Sequence, residues 1–306
     1  MTGRFAPSPT GDLHVGNLRT AMLAWLTARS VGEGFLVRVE DLDRVTASVD
    51  HERRQLDDLR AIGVDWDGPI LRQSERFARY HAALDRLIDA GLTYECYCSR
   101  REIREATAAP HGPGLEGGYP GTCRDLSDSE RRRRRAERPP AVRLRADPAV
   151  RLRIDDLLAG PTDGTPGDLV LRRNDGVPAY HLAVVVDDAA QGVTTVVRGD
   201  DLLPSCFGQL ALQQLLGLPA VAYAHVPLVV GPTGQRLAKR DGAVTRRDLV
   251  AAGVSDERLV TVLAGSLGFT DPTMGPPELV ERFDLDTVRR LGRAPVQWVD
   301  LQRSLT

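Results

Sequence analysis

The stretch Arg4-Phe5-Ala6-Pro7-Ser8-Pro9-Thr10-Gly11-Asp12-Leu13-His14-Val15-Gly16-Asn17 is a run of turn-forming residues that passes straight into Leu18, Ala21, Met22, Trp25, Leu26 and Arg29. The spacing of the later residues puts the apolar ones on a single helical face, so the turn delivers His14 and Gly16 to a helix N-terminus. That end of a helix carries unpaired N–H groups and a partial positive charge, which suits a triphosphate. An imidazole there can add a hydrogen bond as charge builds on a reacting phosphate, and Gly16 would let a flat base come close to the backbone. Taken alone, a His-x-Gly tripeptide reads more simply as a helix cap with an incidental histidine.

Far downstream, Val230-Gly-Pro-Thr-Gly-Gln-Arg236-Leu-Ala-Lys239-Arg240-Asp-Gly-Ala reads as a loop carrying basic residues able to close over phosphates. By charge alone it is equally a solvated basic turn. The longer first string, Arg-Phe-Ala-Pro-Ser-Pro-Thr-Gly-x-Leu-His-x-Gly, resembles the first signature of the glutamate-specific class I aminoacyl-tRNA synthetases, and Leu237-Ala-Lys239-Arg240 resembles their lysine signature. The resemblance implies an α/β fold with a Rossmann-like nucleotide-binding domain and an ATP site at His14, Gly16, Asn17 and Lys239. It makes His14 and Lys239 the catalytic residues, with Lys239 set to stabilise the pyrophosphate leaving group. The sequence departs from the signature at Asn17, where His is frequent, although Asn still offers a hydrogen-bond donor.

Charge bears on which acid is activated. Glutamate presents two carboxylates and one ammonium, so its pocket needs about two cationic forks and one anion. Arg4 opens the first signature, Glu40 ends the strand-like run Phe35-Leu-Val-Arg-Val-Glu40, and Arg198 ends Val193-Thr-Thr-Val-Val-Arg198. Carboxyl ends of strands are where open α/β sheets bind ligands. By resemblance Arg4, Ser8, Glu40, Tyr180 and Arg198 fall on the glutamate pocket, with Arg198 for the side-chain carboxylate and Glu40 for the ammonium. Each of these residues alone reads as an ordinary ion pair. Asp41, Asp43, Asp187, Asp188, Asp200 and Asp201 read as orienting neighbours or capping helices.

At 306 residues, 42% hydrophobic and 27% charged, the chain can bury a sizeable core in about two domains. No apolar run approaches the ~20 residues of a membrane span, and no signal-like segment precedes the signature, so a cytoplasmic protein without a membrane partner is expected. A net charge of −2 supplies no overall case for nucleic acid. The run Arg131 to Arg135, followed by Arg138, Arg143 and Arg145, reads as a solvated or mobile arm at least as readily as an RNA contact.

Residues 1–95 read as the first half of the catalytic domain, 96–178 as an insertion, 179–244 as the second half with the lysine loop, and 245–306 as a short helical region. Within the first half, Ser74 is expected to cap a helix with Phe77, Tyr80, Leu84, Leu87 and Ile88 on one face and Gly91 as its stop. Strand-like runs resume at Leu182-Ala-Val-Val-Val, Val193–Val197 and Val226–Val230. Beyond residue 245, Leu249, Val250, Leu259, Val262, Leu263, Val280, Leu285 and Val288 are available for packing between breaks at Pro272, Pro276 and Pro277. No anticodon-binding domain is expected.

The insertion holds Cys96-Tyr-Cys98 and Tyr119-Pro-Gly-Thr-Cys123, three thiols and a phenol that a loop can gather around zinc. Three reduced core cysteines are an equal reading, and His111 competes with Tyr119 as the fourth ligand. Cys-x-Cys followed by Tyr-x-x-x-Cys resembles the zinc site of the glutamyl-queuosine tRNA(Asp) synthetases, paralogues that lack the anticodon-binding domain. That resemblance implies one structural Zn2+ on Cys96, Cys98, Tyr119 and Cys123, with ATP as substrate and Mg2+ beside it. It further implies activation of L-glutamate to glutamyl-adenylate and transfer to queuosine in the wobble position of tRNA(Asp), by a monomer. Three alternatives remain: a shortened enzyme charging the 3′ end of tRNA(Glu), another class I-like nucleotidyltransferase, and a non-catalytic RNA-binding paralogue. Cys206, in the helical pattern Leu203-Pro-Ser-Cys-Phe-Gly-Gln-Leu, reads as a buried or capping-region thiol.

Overall fold

The computed structural model describes residues 2–103, 119–231, 234, 237 and 244–305. Strand β1 (Thr2–Phe5) runs into the signature turn, and α1 (Val15–Arg29) crosses back to β2 (Gly34–Val39), which pairs with β1 in parallel from Thr2↔Gly34 to Phe5↔Val37. Leu18, Ala21, Met22, Trp25 and Leu26 are all buried, as the spacing predicts, but so are Leu23, Ala24 and Ala28. Helix α1 is therefore apolar nearly all round, because two C-terminal helices, Asp256–Gly265 and Pro276–Arg282, cover the side turned away from the sheet.

After α2 (Val49–Ala61) the short β3 (Leu71–Arg72) pairs with β2, and α3 (Phe77–Asp89) follows. Gly91, at φ 69°, ends α3 as expected. Ser74 does not cap it. Its backbone N–H and hydroxyl both donate to Asp41, at 2.8 and 2.5 Å, and the cap position falls to Arg76 with no side-chain bond.

The chain then leaves the parallel sheet. Strand β4 (Thr93–Cys96) spans the expected 95/96 boundary and joins, through α4 (Asp128–Glu137), to the antiparallel β5 (Ala141–Leu144). The arginine run is α4 itself, an ordered helix and not a mobile arm. Ser127 and Glu130 close a capping box, and Arg131 and Arg135 pair with Asp128 and Glu95. A hairpin of β6 (Leu152–Asp156) and β7 (Gly160–Gly164) follows, and β8 (Val170–Arg172) completes the β4-β5-β8 sheet.

Helix α5 (Tyr180–Ala190) contains the run Leu182-Ala-Val-Val-Val, which sequence reading made a strand. The error is physical. Leu182, Ala183, Val184 and Val185 are all buried against α3, α6 (Ser205–Leu216) and neighbouring strands, and a short run that is apolar all round has no period to tell helix from strand. Strand β9 (Thr195–Gly199) then re-enters the parallel sheet, and β10 (Ala222–Val226) closes it in the order β10-β9-β1-β2-β3. Extending outward from β1 in both directions, this order creates a switch point between β1 and β9, and the crevice there is where such sheets bind ligands.

The run Val226–Val230 is two strands, because Pro227 interrupts it; its carbonyl accepts from Arg19 of α1 at 3.1 Å. Strand β11 (Val229–Val230) pairs in parallel with β12 (Val296–Gln297), which lies beyond the short helices α7 (Arg246–Ala251), α8 (Asp256–Gly265), α9 (Pro276–Arg282) and α10 (Leu285–Arg290) and before α11 (Trp298–Arg303). Leu249, Leu259, Val262, Leu263 and Val288 are buried as expected, whereas Val250 is 48% exposed. Helix α9 is docked at Gly63, where a Cβ would stand 2.2 Å from the ring of Pro276 and φ is +78°, so only glycine fits. No helix among the described residues is long and apolar enough to cross a membrane.

Candidate active site and cysteine cluster

The signature turn is held by its own backbone and by α2. Glu40 N–H donates to the carbonyl of Pro7 and Ser48 N–H to that of Pro9, both at 2.9 Å. From below, Gln55 donates to the carbonyls of Ser8 and Gly11 at 3.0 and 2.6 Å. His14 becomes the N-cap of α1, with a reciprocal capping box. Its Nδ1 accepts from Asn17 N–H at 3.3 Å, and its own N–H donates to Asn17 Oδ1 at 3.2 Å. Occupation of Nδ1 assigns the neutral ring's proton to Nε2, leaving that nitrogen as the donor. Gly16 matters sterically: a Cβ would meet the His14 ring at 3.0 Å and Val229 at 3.4 Å.

A cavity of about 490 Å³ opens above this helix end at the carboxyl edge of the sheet, and Arg4, Ser8, His14, Gly16, Asn17, Glu40, Tyr180 and Arg198 all line it. Eight of the nine residues expected for ATP and glutamate are thereby brought together. The ninth, Lys239, lies outside the described residues. Both described flanks of its loop reach the site, since Val229 lines the cavity and the Val244 carbonyl accepts from Val15 N–H at 3.1 Å.

The pocket's charges rest on a buried network. Arg38, fully enclosed, donates to Asp188 at 2.6 Å, to Gln191 at 3.0 Å and to Glu40 at 3.2 Å, while Arg4 reaches Asp188 at 3.4 Å. Burial pushes the Asp188 carboxyl upward, and Arg38 and Arg4 outweigh it, holding it below the usual range. At Glu40 the balance goes the other way: burial outweighs Arg38 and Arg4 and holds the carboxyl above its ordinary value. Sequence reading passed over Arg38, although a charged residue two positions before Glu40 on one strand face is a visible signal. The aspartates set aside do orient neighbours, with Asp187 accepting from Tyr80 and Gln73 at 2.7 and 3.0 Å.

In the other region, Cys96, Cys98 and Cys123 come together with all three Sγ atoms within 4.8 Å of one another. Cys98 and Cys123 are 3.5 Å apart, and the Tyr119 hydroxyl stands 3.4 Å from Cys96 and 3.7 Å from Cys98. Two sulfurs on a tetrahedral zinc, each about 2.3 Å from it, lie ~3.8 Å apart, so these contacts of 3.4 to 3.7 Å are compatible with such an ion's shell. The Arg143 guanidinium lies 3.8 Å over the Tyr119 ring. Hydrogen bonds from Cys123 and Cys98 pull the Cys96 thiol down, favouring a thiolate in the cluster. His111, the competing fourth ligand, lies outside the described residues.

The model of the class I tRNA synthetases (E and Q), catalytic domain, matches residues 1–288. A glutamyl-Q tRNA(Asp) synthetase from Nocardia farcinica is 61% identical over 97% of this chain and 92% of its own length, and one from Symbiobacterium thermophilum is 47% identical over 97% and 95%. A glutamate–tRNA ligase from Geobacter sulfurreducens is 38% identical over 93% of this chain but only 61% of its own length. Among solved structures, a glutamate tRNA ligase from Elizabethkingia meningosepticum CCUG26117, in complex with its amino acid, superimposes with a TM-score of 0.80 at 25% identity, covering 99% of this chain and 68% of that one. Fold, cavity and these likenesses agree: the chain belongs to the class I tRNA synthetases of the E and Q type, an ATP-dependent ligase family, in the branch whose members are named glutamyl-Q tRNA(Asp) synthetase.

Proposed function

We propose that this protein activates L-glutamate with ATP to glutamyl-adenylate and transfers the glutamyl group to queuosine in the anticodon of tRNA(Asp). The observation that carries this is the single cavity joining a helix N-terminus at His14 to Arg4, Glu40, Tyr180 and Arg198. In this reading Arg198 meets the side-chain carboxylate, Glu40 the ammonium, and Arg4, Ser8 and Tyr180 complete the pocket. The glutamate α-carboxylate then lies against the α-phosphate of ATP, whose phosphates meet the helix end at Gly16 and Asn17; Mg2+, when bound with the nucleotide, would supply further neutralisation of phosphate charge. Attack expels pyrophosphate, whose charge His14 Nε2–H and Lys239 offset. A hydroxyl of the cyclopentenediol of queuosine next attacks the acyl carbon, releasing AMP and a proton. Positioning and charge stabilisation suffice, and no side-chain nucleophile is required.

The cysteine cluster is read as one structural zinc site, with Cys96, Cys98, Tyr119 and Cys123 as ligands. When bound, the ion would neutralise thiolates and pin β4 to the turn before α4. The division at 1–95, 96–178, 179–244 and 245–306, the monomeric state and a cytoplasmic setting belong to the same proposal. Charging of tRNA(Glu) is the second reading, supported by the likeness to glutamate–tRNA ligases.

Labelled glutamate offered with ATP to queuosine-containing tRNA(Asp), to the same tRNA lacking queuosine and to tRNA(Glu) separates these readings. Label confined to the queuosine nucleoside is expected. Label on the 3′-terminal adenosine of tRNA(Glu) would establish the second reading, and glutamate-independent ATP–pyrophosphate exchange would overturn both.

A further inference from the structure

Behind Arg198, on the side away from the cavity, lies a buried chain of polar groups that neither signature contains. Arg198 Nε donates to His225 Nε2 at 3.1 Å, and His225 Nδ1 stands 2.6 Å from Asp156 Oδ2. Arg198 Nη2 reaches Cys206 Sγ at 2.8 Å and the Leu202 carbonyl at 3.4 Å, and Cys206 Sγ in turn is 3.4 Å from His225 Nε2. All three supporting side chains are almost wholly buried. They arrive from β10, the β6 hairpin and α6, which pack together here.

We propose that Asp156, His225 and Cys206 are positioning residues that lock the Arg198 guanidinium in one orientation and so give the pocket its preference for a carboxylate side chain. The inference rests on the glutamate reading above. The donor inventory carries it. An arginine has five N–H bonds, and here the Nε edge and Nη2 are committed to the protein, while Nη1 contacts the Tyr180 hydroxyl at 3.4 Å on the cavity side. Nη1 is thus the end presented to a ligand. The hydrogen bonds also fix the histidine tautomer. Nε2 accepts from arginine, which is never deprotonated, so Nδ1 carries the proton and gives it to the Asp156 carboxylate.

Asp156 can hold that tautomer only as a carboxylate. Oδ1 accepts from Leu158 and Ala159 N–H at 2.9 and 2.7 Å, His225 N–H is shared between Oδ1 and Oδ2 at 3.1 and 3.2 Å, and Oδ2 also faces Nδ1. In Asp156→Asn the amide oxygen is claimed by Leu158 and Ala159 N–H, with His225 N–H left to turn wholly toward it. The –NH₂ then points at Nδ1, which drives the ring proton to Nε2, against the Nε–H of Arg198. An asparagine that imposes the wrong histidine tautomer costs orders of magnitude in other enzymes whose geometry is otherwise kept. A guanidinium freed to swing also loses its means of rejecting a neutral carboxamide, whose –NH₂ a fixed N–H donor repels.

The experiment is glutamate-dependent ATP–pyrophosphate exchange by the full chain, with KM and kcat resolved for glutamate and ATP, glutamine as competitor, and a thermal melt of each variant. Asp156→Asn and His225→Ala are expected to raise the glutamate KM about 10- to 100-fold, the worth of one hydrogen bond to a charged group, with the ATP KM within about twofold. Both should narrow the glutamate-over-glutamine ratio. His225→Gln, whose Oε1 can accept from Arg198 Nε, should recover most of the loss, and Cys206→Ala should show a smaller shift of the same kind. Unchanged glutamate KM in Asp156→Asn and His225→Ala would overturn the proposal, as would equal rises for both substrates or failure of His225→Gln to improve on alanine. Wild-type protein without glutamate-dependent exchange would instead sink the glutamate reading itself.

Discussion

The proposed glutamate pocket gathers charges that resist burial, whereas the cysteine cluster gathers thiols that bury readily and become costly only as thiolates, and the two are stabilised in opposite ways. Arg4 and Arg198 lie in β1 and β9 and Glu40 just past the end of β2, and the protein itself answers their charges through Arg38, Asp188, His225 and Asp156. The cluster takes its four groups from 28 consecutive positions, 96 to 123, and its sulfurs mostly face each other. Arg134 lies 3.9 Å from Cys123 and Arg143 stacks over Tyr119. A pocket whose counter-charges are built in is shaped before its ligand arrives, whereas a thiol cluster of the proposed kind would gain its full stability only from a bound ion.

The largest effect that would break this comparison is Arg198→Ala. It removes the fork and leaves His225 and Tyr180 facing an unfilled space, so glutamate-dependent exchange should fall by at least ~100-fold in kcat/KM. A loss under about threefold would mean that the side-chain carboxylate is bound elsewhere. Asp188→Asn comes next. It strands Arg38 and Arg4, which are buried together, and should cost about 3 kcal/mol or more in denaturant unfolding; a change below about 0.5 kcal/mol would show the network to be dispensable.

Cys98→Ser tests the other region. Metal analysis should find about one zinc per wild-type chain and nearly none in the variant, with a lower melting midpoint matched by chelator treatment of the wild type. Equal, near-zero zinc in both would remove the metal from the cluster and make the thiols ordinary core. A subtler check uses Glu40, whose pKa lies above its ordinary value. The ammonium needs the ionised form, so the glutamate KM should rise as pH falls through that elevated pKa, approaching about tenfold per pH unit below it, while the ATP KM stays nearly flat. A glutamate KM that is level down to the ordinary carboxylate range would remove Glu40 from that role. Smallest of all, Asn17→Ala deletes one arm of the α1 capping box and should cost about 1 kcal/mol of stability, read as a shift in urea midpoint.

Much of the pocket was legible because its parts sit in contiguous strings. Arg4 through Asn17 name a turn, a cap and a helix together, and the capping box of His14 and Asn17 is a local geometry that spacing implies. Ser74 shows the limit. It has the chemistry of a cap, but Asp41, 33 residues away, offers two oxygens and wins it. The valine run of α5 shows another, because burial on every side erases the period on which helix and strand are distinguished.

By itself the sequence determined the parallel α/β plan, the helix end at His14 and the identity of the groups that line the cavity, since local strings and strand termini encode these. Tertiary structure alone decided which residues stand behind them. Cys206 and His225 meet Arg198 across 8 and 27 residues, Asp156 meets His225 across 69, and Arg38 finds Asp188 across 150. No spacing rule reaches that far: such partners are chosen by how the sheet edge, hairpin and helix pack, and a buried charge must take whichever counter-group that packing brings within hydrogen-bond reach.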